Sequence, residues 1–324
     1  MRQTFLVADL FSGAGGFSRG FELAGFKVAV AVENDPPVAK TYKANFPHAY
    51  VIADDIKDVT ERTIREVSGL GRGDFDVVIA SPPCEPFTPT NRNRMRDPID
   101  RILTDPVGQL YLHAIRLISE LKPKYFLIEN VSGVIEGPIR KVIEHELTKA
   151  GYDEVYFNVL RSERYGVASE RVRVFVSNIP LRPPEKRPLT VMEALEGLPE
   201  PGAPWPPNHD APEGLSRKLA RKLPKLRWGR ALVRFEGADN RVFRNYIRLS
   251  PDRPAPTVMG SSRFIHPFED RLLTVREQAR LMGFPDYHIF LGGKDSQYNM
   301  VGEAVPVPLA KALAEIVMRR LSAG

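Results

Sequence analysis

The sequence contains a single cysteine, Cys84, in the octapeptide SPPCEPFT that runs from Ser81 to Thr88. A thiol at such a position could serve as a nucleophile. The preceding run, Phe75 to Ala80 (FDVVIA), is largely apolar, as a strand buried on both faces would be. Cys84 is therefore expected just past the carboxyl end of a parallel strand, where open α/β sheets hold their ligands. Pro82 and Pro83 fix φ and bring no backbone donor, so the turn is stiff and sets the direction of the thiol in advance. Taken alone, Cys84 reads equally as a buried core cysteine, the usual fate of a free thiol.

A second reactive group is expected at the same edge. Tyr125 to Ile128 reads as a strand with Glu129 and Asn130 at its end, which sets a carboxyl group beside the thiol. Further on, RVRVF alternates Arg171 and Arg173 with Val172 and Val174, so both guanidinium groups belong to one side of a strand. Simple exposure of two arginines gives the same alternation.

The elements that would hold these groups begin at the amino terminus. Phe5 to Phe11 reads as a strand running into Ser12, Gly13, Ala14, Gly15 and Gly16, a glycine-rich turn before a helix with apolar positions Phe17, Phe21, Leu23 and Ala24. Such a turn lets a ligand approach the backbone and the helix N-terminus. Phe26 to Val32 reads as a second strand ending at Glu33 and Asn34, an acid placed to accept hydrogen bonds from ribose hydroxyls. A third strand, Ala49 to Ala53, leads to Asp54, Asp55 and Ile56. Together these strand ends suggest an adenosine pocket, although solvated loop acids are the plain alternative.

Val107 to Leu121 has helical spacing, and Tyr152 to Leu160 and Arg171 to Ser177 read as a strand pair. Thr274 with Glu277 forms a capping box at the start of a helix reaching Phe284, and Val301 to Leu321 reads as a turn and an amphipathic helix. Between them the composition shifts to proline-rich and basic sequence. Leu181 to Arg248 carries 14 lysines and arginines against 8 acids, while the rest of the chain balances at 32 of each, so this segment holds the whole net charge of +6. That is the footprint of phosphate-backbone binding, or else a solvated basic face. One cysteine excludes an intrachain disulfide and suits a reducing cytoplasm. No apolar run reaches membrane-spanning length, and no zinc-type cluster or Walker-type lysine turn is present.

In their order along the chain, these stretches resemble the cytosine-C5 DNA methyltransferase family. DLFSGAGGFSRGFELAGF is similar to its first motif, VEND and DDI to the next two, and SPPCEPFT to its cysteine loop. The ENV tripeptide from Glu129 is similar to its glutamate motif and YGVASERVRVFV to its paired-arginine motif. RLSPDRPAPTV and GEAVPVPLAKAL resemble the last two. The resemblance implies S-adenosylmethionine as cofactor, with Phe11 on the adenine, Glu33 on the ribose, Asp55 on the adenine amine and the turn from Ser12 to Gly16 at the methionine end. Asn34, Ile56, Pro82, Glu303 and Ala304 complete the implied cofactor site. It also implies that Cys84 attacks C6 of a flipped cytosine, that Glu129 contacts N3 and the exocyclic amine, and that Arg171 and Arg173 steady the loop and base while favouring the thiolate.

Four positions depart from the family pattern: Glu85 and Ser169 where it has glutamine, Thr88 where it has serine, and Glu303 where it has asparagine. Two of these add negative charge near cofactor and base. The implied fold is a doubly wound Rossmann-like sheet over residues 1–179 and 297–324, with a smaller target-recognition domain over 180–296. The implied partner is duplex DNA, the enzyme acting as a monomer, either beside a cognate restriction endonuclease or as a solitary methyltransferase. The cysteine loop also resembles that of the transfer-RNA branch, but that branch's CFT tripeptide is missing. A third reading, an inactive nucleic-acid-binding paralogue, runs against the intact Cys84, Glu129, Arg171 and Arg173.

Overall fold

The computed structural model describes residues 4–212 and 214–323. The outer limits of the expected catalytic unit, at 1–3 and 324, and residue 213 of the expected insert lie outside the described residues. Seven strands, β1 (Leu6–Leu10), β2 (Lys27–Val32), β3 (Tyr50–Ile52), β4 (Val77–Ala80), β5 (Tyr125–Asn130), β6 (Tyr156–Arg161) and β7 (Val172–Ser177), make one sheet. Their order is β3-β2-β1-β4-β5-β7-β6. The first five are parallel, and β7 lies antiparallel to both β5 and β6.

The apolar runs form central strands because alternate residues feed two separate cores. Ala8, Leu10, Val78, Ala80 and Ile128 pack on one face with the helices Leu110–Leu121 and Gly137–Lys149. Val7, Val77, Ile79 and Leu127 pack on the other with the helices Gly16–Leu23 and Val307–Ala323. The last of these is the expected C-terminal helix, and it sits tightly: a Cβ on Gly20 would lie 2.3 Å from that of Ala310. Strand order reverses between β1 and β4, so a crevice opens at the carboxyl ends of these strands. Because β7 runs the other way, its amino end, preceded by Arg171, comes to the same edge.

Several boundaries differ from those the sequence suggests. β6 begins at Tyr156 rather than Tyr152, and Glu129 and Asn130 are the last residues of β5 rather than lying beyond it. Pairing with β7 extends the strand, Glu129 opposite Phe175 and Asn130 opposite Val174. The capping box of Thr274 and Glu277 is present at the helix Val275–Leu281.

The basic segment is more regular than its composition suggests. β8 (Ala231–Glu236) and β9 (Val242–Arg248) form an antiparallel hairpin, and β10 (Phe264–Ile265) runs parallel to β9. Val258, Phe264, Leu273 and Phe290 form a core that reaches Ala14 and Ala168 of the large sheet unit. No described helix is long and apolar enough to cross a membrane.

Candidate active site

The Cys84 loop is held from three sides. Ser81 N–H donates to the Leu10 carbonyl at 3.1 Å, tying the loop to β1, and Asn130 Nδ2 donates to the Pro82 carbonyl at 3.0 Å, tying it to β5. The Cys84 carbonyl accepts from Phe87 N and Thr88 N at 2.9 and 3.0 Å, closing a tight turn. Gly133 packs so closely that a Cβ there would stand 2.1 Å from the Phe87 carbonyl oxygen. Only a residue without a side chain lets the segment after β5 brace the loop.

Near the thiol stands an ion pair, Arg173 Nε to Glu129 Oε1 at 2.9 Å, with both side chains largely buried. Arg171 is 2% exposed and has a different task. Its Nη1 donates to the carbonyls of Val258 (2.7 Å) and Gly302 (2.9 Å), fastening β7 to the proline-rich loop and the helix Lys294–Glu303. Burial, with Arg173 beside it, presses the Arg171 guanidinium down to about 9. Simple exposure of both arginines is thus ruled out by their burial.

Both arginines act on the thiol in the expected direction, favouring the thiolate, but burial opposes them more strongly. Burial pushes Cys84 up to about 11, and Glu85 and Glu129 also oppose the thiolate.

The glycine turn lies at the neighbouring strand end. Phe11 has φ of 58°, the left-handed region that non-glycine residues seldom occupy, and it is partly buried against the core that contains Ile56. Gly15 and Gly16 are backed by protein, since a Cβ on them would stand 2.2 Å from the Phe46 ring and 2.4 Å from the Val305 carbonyl oxygen. Gly13, at φ of 54°, would meet nothing within 4 Å. The turn is therefore closed behind and open in front. Glu33 accepts from Gly13 N at 2.9 Å and from Asp35 N at 3.0 Å, and burial raises its carboxyl above the ordinary range. Buried Ser12 has a hydroxyl with no partner among the described residues. An open cradle of backbone groups with a carboxylate and an unpartnered hydroxyl fits the adenosyl amino acid implied by the sequence.

Other expected cofactor residues divide. Pro82 is buried in the cysteine loop, and Ala304 lies against Gly16, its Cβ 3.0 Å from where one on Gly16 would be. Asn34 is exposed beside Glu33. Asp55 is engaged by its own loop, accepting from Lys57 N at 3.0 Å with Lys57 Nζ 3.3 Å away, and these contacts lower its pKa. Glu303 is exposed, yet the protein around it, followed by Glu85 and Glu33, raises it to about 7 despite Arg171.

Supporting residues with no sequence signal of function stand behind the site. Asp9 of β1 is buried, accepts from Ser18 Oγ at 2.5 Å, and is pushed up to about 8 by burial. His288 is fully buried, its Nε2 2.8 Å from the Ala14 carbonyl of the glycine turn, and burial lowers it to about 3, so it is neutral there. Tyr111, buried near Glu129, keeps a hydroxyl without a described partner.

A doubly wound sheet with a cysteine loop, a buried acid and a glycine turn on one edge is a Rossmann-like methyltransferase arrangement. The family model described as C-5 cytosine-specific DNA methylase matches residues 5–193 and 213–319, and the chain belongs to this family of DNA cytosine-5-methyltransferases. It is 44% identical to the candidate type II methyltransferase M.MJ0563P of Methanocaldococcus jannaschii, over 97% of this chain and 99% of that one. It is 31% identical to the type II methyltransferase M.DdeI of Desulfomicrobium norvegicum, over 95% and 87% of the two chains. Among solved structures, a candidate DNA modification methyltransferase encoded in an Escherichia coli prophage superposes with a TM-score of 0.77 at 25% identity, covering 99% of this chain and 100% of that one.

Proposed function

We propose that the protein methylates C5 of a flipped cytosine in duplex DNA at a short specific sequence, through a covalent bond between Cys84 and C6. The observation that carries this reading is the meeting of Cys84 with the Glu129–Arg173 ion pair at the sheet edge that also bears the open glycine turn. C5 of cytosine is a poor nucleophile, and addition of a thiolate at C6 makes it an enamine carbon. S-adenosylmethionine, when bound, supplies the methyl group. Phe11, the turn from Ser12 to Gly16, Glu33, Asn34, Asp55, Ile56, Pro82, Glu303 and Ala304 would hold it.

Glu129 meets N3 and the exocyclic amine of the base, and Arg173 keeps that carboxyl group in position. Arg171 acts through structure, fixing three segments around the thiol. Once C5 carries the methyl group, loss of its proton lets the Cys84 sulfur leave and the ring recover its aromaticity. Because burial keeps the free thiol protonated, its ionisation belongs to the DNA-bound state. A base within a duplex is out of reach, so the reaction requires flipping.

Residues 180–296 serve as the target-recognition domain, the remainder as the catalytic domain, with DNA between them. The exposed residues Arg217, Lys218, Arg221, Lys222, Lys225, Arg227 and Arg230 form no ion pair among the described residues, which leaves their charge available to phosphates. The type II relatives imply a restriction endonuclease of the same specificity as partner. The test is methyl transfer from labelled S-adenosylmethionine to duplex DNA and to transfer RNA. Label on DNA cytosine at one short sequence is expected; label confined to transfer RNA would reassign the substrate while leaving the Cys84 chemistry in place.

A further inference from the structure

Glu303 occupies the last position of the helix Lys294–Glu303, where the helix dipole disfavours a carboxylate. Its side chain has no hydrogen bond or ion pair among the described residues. The charges facing it are Glu85 from the cysteine loop, Glu33 and Asp35 from the end of β2, and Arg171 before β7. Arg171 already donates to two carbonyls, so three acids confront Glu303 without a dedicated cation. A local arrangement this unfavourable is expected where function requires it.

The position is specific. Glu303 Oε1 is 3.1 Å from where a Cβ on Gly260 would lie, and the adjoining Ala304 and Val305 pack against Gly16. Glu85 follows the nucleophile directly. Glu85 thus adjoins the thiol and Glu303 adjoins the segment that packs on the glycine turn, the two ends of the interval across which a methyl group must pass, and each lies within electrostatic reach of the other. Resting on the cofactor reading above, we infer that Glu303 and Glu85 select the cationic, methyl-bearing form of the cofactor over its neutral thioether product. S-adenosylmethionine carries a sulfonium charge. When C5 takes the methyl carbon, the S–CH3 bond breaks, its electron pair returns to sulfur, and that charge disappears. The carboxylates lose their counter-ion at that moment, which favours release of the product.

Calorimetry on the DNA-free enzyme with three probes tests this: S-adenosylmethionine, S-adenosylhomocysteine, and sinefungin, which carries an ammonium group in place of the sulfonium. At pH 8 the two cations are expected to bind at least about tenfold more tightly than the thioether, a difference of about 1.4 kcal/mol. The double substitution Glu85→Gln with Glu303→Gln should bring all three to within about threefold. Glu303 titrates at about 7, so lowering the pH from 8 to 6 should shrink the wild-type preference without any substitution. A preference unchanged in the double variant and at pH 6, or a wild-type enzyme favouring the thioether at pH 8, would overturn the inference while leaving the cofactor site intact. Failure of all three probes to bind wild-type enzyme would remove the site and the inference together.

Discussion

Around Cys84 the arginines are buried and engaged, whereas from Arg217 to Arg230 the basic side chains are exposed and form no described ion pair. Arg171 ends on two carbonyls and Arg173 on Glu129, each held by surrounding structure. Elsewhere in the basic segment the charges are paired: Glu185 meets Arg164, Asp210 meets Lys294, Asp239 meets Arg94, Arg187 meets Glu193, and Arg248 meets Asp270. The contrast separates two physical tasks. Chemistry at one carbon requires groups fixed to a fraction of an ångström, at the expense of desolvation. Attraction of a polyanion requires charge that solvent and counterions can reach.

The contrast can be broken most sharply at its fixed end. Cys84→Ala should abolish methylation, a fall of about 10⁴-fold or more as for other nucleophile deletions, with cofactor affinity nearly unchanged. Substantial residual turnover, read by labelled-methyl transfer, would remove the covalent mechanism. At the exposed end the effect should be smaller and of another kind. Neutralising Arg217, Lys218, Arg221 and Lys222 together should weaken binding to all duplex sequences alike and flatten the salt dependence, by about 0.9 in slope for each phosphate no longer neutralised. Fluorescence anisotropy across a salt series measures this, and an unchanged slope would reduce the segment to a solvated face.

The smallest expected change lies between the two regions. Glu33 would hold ribose hydroxyls by charge-assisted bonds, and losing even one, worth roughly 1.5 to 3 kcal/mol, means that Glu33→Ala should weaken S-adenosylmethionine binding about tenfold or more. Calorimetry showing unchanged affinity would place the cofactor elsewhere. Since Glu33 also accepts from Gly13 N, the same variant should loosen the glycine turn.

How far the sequence foretold these features depended on whether each was local. Cys84 after FDVVIA, Glu129 at the carboxyl end of its strand and the glycines before a helix are short-range patterns, and the sheet follows from them. The thiol's environment is not local. Its burial arises where three strand ends meet, and that burial outweighs the arginines that the family resemblance implied would favour the thiolate. The Glu129–Arg173 pair depends on β7 entering antiparallel between β5 and β6, a choice that no spacing within RVRVF encodes. His288 reaches the Ala14 carbonyl across 274 positions, and its neighbours read only as apolar packing. The β8–β9 hairpin was obscured because its polar alternation is rich in arginines, which register as charge before they register as period two. Its turn docks on the large unit through Ala238 N to the Pro89 carbonyl, 2.8 Å, another contact outside the reach of local pattern.

The central claim is a bond between one sulfur and one carbon. Duplex DNA in which the target cytosine carries fluorine at C5 cannot lose a proton from that position, so the sulfur should remain attached. Incubated with this duplex and S-adenosylmethionine, the wild-type enzyme should give a stable complex whose digested peptide carries the nucleotide on Cys84 by mass spectrometry, and Cys84→Ala should give none. Methylation of ordinary duplex DNA without any trapped complex, or a nucleotide attached to another residue, would contradict the covalent role of Cys84.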